Sequence, residues 1–278
     1  MRIAVSLRAR ALRNCALKSC TVIAALTFAC AQLLGAKPLT EADVTAAVTK
    51  LIADGSKDGA YSIYDPRTGE TLSLVLDDIR VVRGLPEFGW FPDVVFHDKV
   101  EPKKKYTVDF WLKPDGDRLK LMDARIHKDA RPDGTSWMMI TRAPLLWWWL
   151  PTLKRQSSVT GMQAWQVMGA VHTHIVEAQE DSGYPLAIAD GKSVPAALVA
   201  IYQPVGRSQE DGRYFACAEL RNIADDGASY AVDFTLDPDA RSVEVGSVRK
   251  IQDPHADRGK STSESPCRHE GVALEVVD

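Results

Sequence analysis

Few residues of this 278-residue chain stand at spacings that chemistry requires. His172-Thr173-His174 is the nearest thing to a metal pair. On a helix, residues two apart point about 200° away from each other, so the two rings cannot close on one ion. His172 itself falls on the apolar stripe of its helix. It reads either as a core histidine with a hydrogen-bonded ring or, as a weak catalytic candidate, as an acid or base beside a held ligand. Asp190-Gly191-Lys192-Ser193 ends like a phosphate-binding loop, but Leu186 occupies the place of its first glycine. A hairpin turn is the expectation there. Asp109 and Asp233 occupy strand positions opposite an apolar face, and a solvated carboxylate is the ordinary reading of each. His127 and Lys128 are expected as exposed strand-end residues. The chain has no G-x-S-x-G, no H-E-x-x-H and no G-x-G-x-x-G after a strand. Enzyme function is therefore left uncertain and leaning against, and no metal or cofactor is called for.

Composition narrows the class of partner. At 45% hydrophobic and 26% charged residues the chain is ordinary globular material. Residues 1–31 carry five basic residues and no acidic one, which leaves 29 basic against 37 acidic residues, a net charge of -8, for the remainder. An acidic body lacks the basic footprint that phosphate binding needs, so nucleic acid is not expected.

The basic start followed by the apolar run Cys20–Ala36 reads as an export signal, too short for a comfortable membrane span of about 20 residues. Ala29-Cys30-Ala31 offers a cleavage pattern, with Ala36 as a second candidate end. A lipidated Cys30 or an uncleaved anchor remains the alternative. The expected location is periplasmic or secreted, otherwise lipoprotein or N-terminally anchored. Cys217 and Cys267 then form the mature cysteine pair, and in an oxidising compartment they are expected to make one disulfide.

One word occurs twice. Tyr106–Asp115, YTVDFWLKPD, returns as Tyr230–Asp239, YAVDFTLDPD, at an offset of 124 residues. The same offset lays Phe91 on Phe215, Leu74-Val75 on Leu198-Val199, and Val44 and Val48 on Met168 and His172. A shared offset over such a length reads as a tandem duplication of a domain, not a solenoid repeat.

Each copy opens with a helix. Thr40 is an N-cap with Asp43 three residues on, and Val44, Val48, Leu51 and Ile52 form the buried stripe before Gly55. The second helix is expected over Met162–Gln179, with Trp165, Met168, His172 and Ile175 on one face. Strands follow: Tyr61–Tyr64, Thr71–Val82, Trp90–His97, Tyr106–Lys113 and Arg118–Lys128, then Ala196–Val205, Tyr214–Arg221, Tyr230–Asp237 and Arg241–Ile251. Alternation puts Tyr106, Val108, Phe110 and Leu112 on one face, repeated by Tyr230, Val232, Phe234 and Leu236. That face needs cover, and its own copy's helix is the nearest available.

A helix followed by an antiparallel meander resembles the cystatin-like and NTF2-like folds. The strings YFAC, YAVDF and a strand ending Ile126-His127-Lys128 are similar to small exported bacterial domains of uncharacterised function. The second copy departs from this with Val248-Arg249-Lys250. The resemblance implies an α+β fold in two tandem copies, each one helix on four or five antiparallel strands. It also implies a compartment, and no activity. In such folds a ligand commonly sits between helix and sheet, which is where an enzymatic His172 would act.

The expected organisation is a signal or anchor at 1–36, a first repeat at 38–135, a tryptophan-rich connector at 136–160, a second repeat at 161–252 and a polar tail at 253–278. Trp147, Trp148 and Trp149 read either as plugs in the seam between two cores or as a membrane or partner contact. A short strand is expected at Val272–Val277. The function expected is an exported, non-catalytic cell-envelope protein that binds a protein, a peptide or an envelope component. The alternative is an enzyme using His172 in a pocket between helix and sheet.

Overall fold

The computed structural model describes residues 38–116, 118–131, 139–142, 146–153, 161–224, 227–239, 241–251 and 273–277. The expected export segment lies outside them, as do Cys267 and most of the expected tail. The fold is α+β, with two antiparallel sheets.

Helix α1 (Glu41–Gly55) starts as its sequence requires: the Thr40 hydroxyl accepts from the Asp43 N–H, and the Asp43 carboxylate accepts from the Thr40 N–H. Strands β1 (Ser56–Lys57), β2 (Ala60–Asp65), β3 (Glu70–Leu85), β4 (Gly89–Asp98), β5 (Lys105–Asp115), β6 (Arg118–Ala130) and β7 (Met139–Thr141) follow and pair in chain order as one seven-stranded sheet. Val44, Val48 and Ile52 of α1 lie on Val94, Phe96, Val108, Phe110 and Leu112, which closes the first core.

A 3-10 turn (Trp147–Trp149) runs into the short α2 (Leu150–Leu153), and α3 (Ala164–Glu177) follows. Then come β8 (Tyr184–Ala187), β9 (Ser193–Ser208), β10 (Tyr214–Asn222), β11 (Ser229–Leu236), β12 (Val243–Lys250) and β13 (Leu274–Val277). The second sheet has six strands in the order β12-β11-β10-β9-β13, with β8 also on β9. The segment Asp190–Ser193 closes the β8–β9 hairpin, a turn as its sequence reads.

The repeated word occupies the same place in each sheet. In the first, Val94 faces Val108 and Phe96 faces Tyr106. In the second, Ala218 faces Val232 and Leu220 faces Tyr230. Both are pairings at the offset of 124. The sheets differ in size: among the described residues β7 and β13 have no strand counterparts in the other half, and β1 is answered only by the Glu180–Gly183 bridge.

Pro38–Asp278 forms one unit, and its layers explain why. The sheet-1 face turned away from α1 is not open to solvent. Phe91 and Trp111 on that face join Trp147, Trp148, α3 and the inner face of the second sheet in a single core. Helix α3 is therefore buried on more than one side, with Val167, Met168, Val171, His172 and Ile175 all enclosed. The order through the molecule is α1, first sheet, tryptophans with α3, second sheet.

Candidate functional site

The residues worth testing for chemistry gather on the buried outer face of the first sheet. Strand alternation sends Arg83 of β3, Asp93 of β4, Asp109 and Trp111 of β5, and Asp123, Arg125 and His127 of β6 to that face. Cross-strand pairing brings Asp93 opposite Asp109 and Asp109 opposite Arg125. The connector then lays its three indoles over this surface.

His172 comes up from α3 to meet it and is 1% exposed. The Trp147 indole N–H donates to its Nδ1 at 2.7 Å, and its Nε2 stands 2.7 Å from Asp123 Oδ2. An indole nitrogen can only donate, so Nδ1 carries no proton and Nε2 must carry one. The ring is thus a neutral tautomer that donates to Asp123. Burial pushes its pKa down, against the pull of Asp123. Burial would raise Asp123, but the bond from His172 and the charge of Arg125 hold it below the usual carboxylate range. Trp148 stacks on the imidazole at 5.5 Å between centroids, and Trp111 lies 5.0 Å away.

Trp148 connects this group to a second. Its indole N–H reaches Asp109 Oδ2 at 3.4 Å, and that of Trp149 donates to the same oxygen at 2.6 Å. His127 Nδ1 lies 3.1 Å from it, with the ring 5.3 Å from Trp149. Arg83 lays its guanidinium over Trp149 at 4.8 Å, and its nitrogens are enclosed with no hydrogen-bond partner among the described residues. Burial lowers its pKa to about 10, opposed by Asp109, and it stays charged at neutral pH. Asp93 is pushed up, first by burial and then by Asp109.

Two readings of the sequence need correction. Asp109 is 1% exposed and Asp233 is also buried; neither is solvated. Alternation does hold Asp109 off the α1 core and Asp233 off the inner face of the second sheet, but the side of the sheet that each takes is covered. Asp109 takes indole N–H groups from the connector, and Asp233 takes the Ser247 hydroxyl and lies 3.5 Å from Arg249. His127 is likewise buried under Trp149, and Lys128 is half-buried, because β6 continues into a paired edge with β7 instead of ending in solvent.

Trp147 and Trp148 are fully enclosed and Trp149 is half-buried. Their indole faces are spent on Phe91, Trp111, His172 and His127. Cys217 sits on the face of β10 away from the main core, beside Ala231 with Tyr202 and Ile251 against them. Cys267, its expected partner, lies outside the described residues. Among the described residues no three His, Cys, Asp or Glu side chains converge as a metal would need.

Arg83, Asp93, Asp123 and Arg125 were not singled out by motif. For Asp123 and Arg125 the signal is the period-2 row Asp123, Arg125, His127 on β6, legible once that strand face is known to be covered. Arg125 bridges the layers by donating to the carbonyls of Leu198 and Val199. Both residues lie where β9 bulges against β10. No protein-family model and no curated protein matches the chain.

Proposed function

We propose that this chain is an exported, non-catalytic binding protein of the cell envelope, made of two copies of one cystatin-like or NTF2-like module. It acts in the periplasm or outside the cell, and takes a protein, a peptide or an envelope component at a sheet edge or face. The duplication is supported by the constant offset and by the matching strand register across the two central pairs. A Cys217–Cys267 disulfide belongs to the same proposal, as does cleavage of the export segment.

One observation carries the non-catalytic reading. The space between helix and sheet where a ligand would meet His172 is occupied by Trp147 and Trp148, and both ring nitrogens are already bonded. A neutral imidazole with Nδ1 accepting and Nε2 donating has no lone pair left to act as a base.

The test is retention of envelope components by the immobilised mature protein, set beside a His172→Asn variant shown to be folded. Equal, saturable retention by both proteins supports the proposal. Turnover of any retained component by the wild type, lost in His172→Asn, replaces it with the enzyme reading.

A further inference from the structure

Strand β3 is longer than its cover. Strand β2 pairs with Glu70–Leu74 only, and from there to Leu85 its described neighbour is β4 alone. Strand β9, its counterpart, has the same long edge but shares it between two strands. Strand β8 takes Ser193–Ala196 and β13 takes Val205–Ser208. Shifted by 124, the place held by β13 corresponds to Val81–Gly84. Among the described residues no strand lies there. Val81 is 43% exposed, and Asp78 and Arg80 are exposed beside it.

An edge of this kind presents a row of open N–H and C=O groups. Its sequence is Asp78-Ile79-Arg80-Val81-Val82-Arg83, and its register on β4 shifts between Ile79 and Val81, which brings Ile79 and Val82 to one face. An antiparallel copy turned about a twofold axis between Arg80 and Val81 sets Asp78 opposite Arg83, Ile79 opposite Val82 and Arg80 opposite Val81. The faces agree, and charge does not enter, because the Arg83 guanidinium is enclosed over Trp149. Ile79 and Val82 both pack toward the first core. Asp78 and Arg83 both take the other face, through their partners Val95 and Phe91. Slipping by one residue would mismatch every face. The turn at Leu85–Phe88 ends the strand before it would meet β2 of the other copy.

We propose that the open half of β3 is a self-association edge, on which a second copy of this chain adds its own β3 antiparallel over Asp78–Arg83. The pairing extends both first sheets across the twofold axis and gives the first module the added strand that β13 supplies to the second. It does not depend on the binding function proposed above.

Sedimentation velocity of the mature chain over a concentration series tests it. The wild type is expected to be a dimer at high micromolar concentration. Val81→Lys sets a lysine opposite Arg80 twice and should weaken the dimer at least about tenfold. Val81→Thr, which keeps a β-branched residue opposite Arg80, should leave it unchanged. Val81 is 43% exposed, and unchanged thermal melts confirm that both variants fold. Amide exchange in residues 78–83 should slow as wild-type protein is concentrated. A monomeric wild type overturns the proposal and leaves the edge to a strand of another protein. A Val81→Lys protein that dimerises as before, or a Val81→Thr protein that dissociates as readily as Val81→Lys, overturns it as well.

Discussion

Trp147 donates its indole N–H to Nδ1 of His172 at 2.7 Å, and this single bond fixes the histidine's charge. A second ring proton could be held only by breaking it. Because burial keeps the folded pKa of His172 below its ordinary value, the unfolded chain takes up the proton first as the solution is acidified. The associated stability is complete above the ordinary histidine pKa of about 6.5 and is lost as the pH falls through and below it. Half-buried His174, also lowered by burial, acts in the same sense. Trp147→Phe frees Nδ1 to hold a proton and should flatten the His172 part, besides costing about 1–3 kcal/mol at neutral pH. Urea melts of both proteins at several pH values check this; an unchanged slope in Trp147→Phe contradicts the tautomer assignment.

Phe110 and Phe234 occupy equivalent places in the two cores, and both are fully buried. Replacing either with Ala should cost about 3–5 kcal/mol. A loss below about 1 kcal/mol in denaturant melts would speak against their place in the cores.

Arg142 grips Asp65 with two bonds of 2.7 Å and also holds Asp129, so the end of β7 is tied to β2 and β6. Burial would raise Asp65, but the Arg142 bonds keep its pKa below the usual range. Arg142→Leu leaves both carboxylates without their main cation and should cost about 3–5 kcal/mol. In the wild type this contribution is present above about pH 4 and disappears in more acid solution. A melt of Arg142→Leu that matches wild type at pH 7 rules out the role.

Enclosed indoles emit to the blue. Fluorescence of the mature protein should be blue-shifted and unaltered by anionic vesicles, given where Trp147 and Trp148 lie. A shift that comes only with vesicles would show the connector reaching lipid instead.

The proposed Cys217–Cys267 bond closes a loop long enough to contribute about 4 kcal/mol on the chain-entropy estimate. Protein isolated from the oxidising compartment should titrate with no free thiol when denatured without reductant. Two thiols per chain would end that part of the proposal.

Much of the architecture was legible because it rests on local rules. The Thr40–Asp43 cap, the alternation around Phe110 and the β8–β9 turn at Asp190–Ser193 each follow from a few neighbouring residues. The charged face was misread for an equally physical reason. Alternation says which side chains share a face, not whether that face meets water. Asp109 on a covered sheet and a carboxylate on an open one have the same neighbours in sequence. What covers Asp109 comes from Trp148 and Trp149, some forty residues later, and from α3 beyond them. The connector's tryptophans carried the missing information, but only as an excess of apolar surface without an address.

The burial of Phe91, Asp109 and Trp111 by later residues also sets a timetable. A chain emerging from its N-terminus completes the first core once β6 is out, yet still presents an aromatic and charged surface whose cover has not arrived. That surface stays adhesive until Trp147, Trp148 and α3 follow. The second sheet waits longer, since β13 pairs with β9 from beyond β12 in the chain. A chain stalled after β7 would therefore have a finished core and an unfinished skin, the condition in which a holding chaperone is most needed.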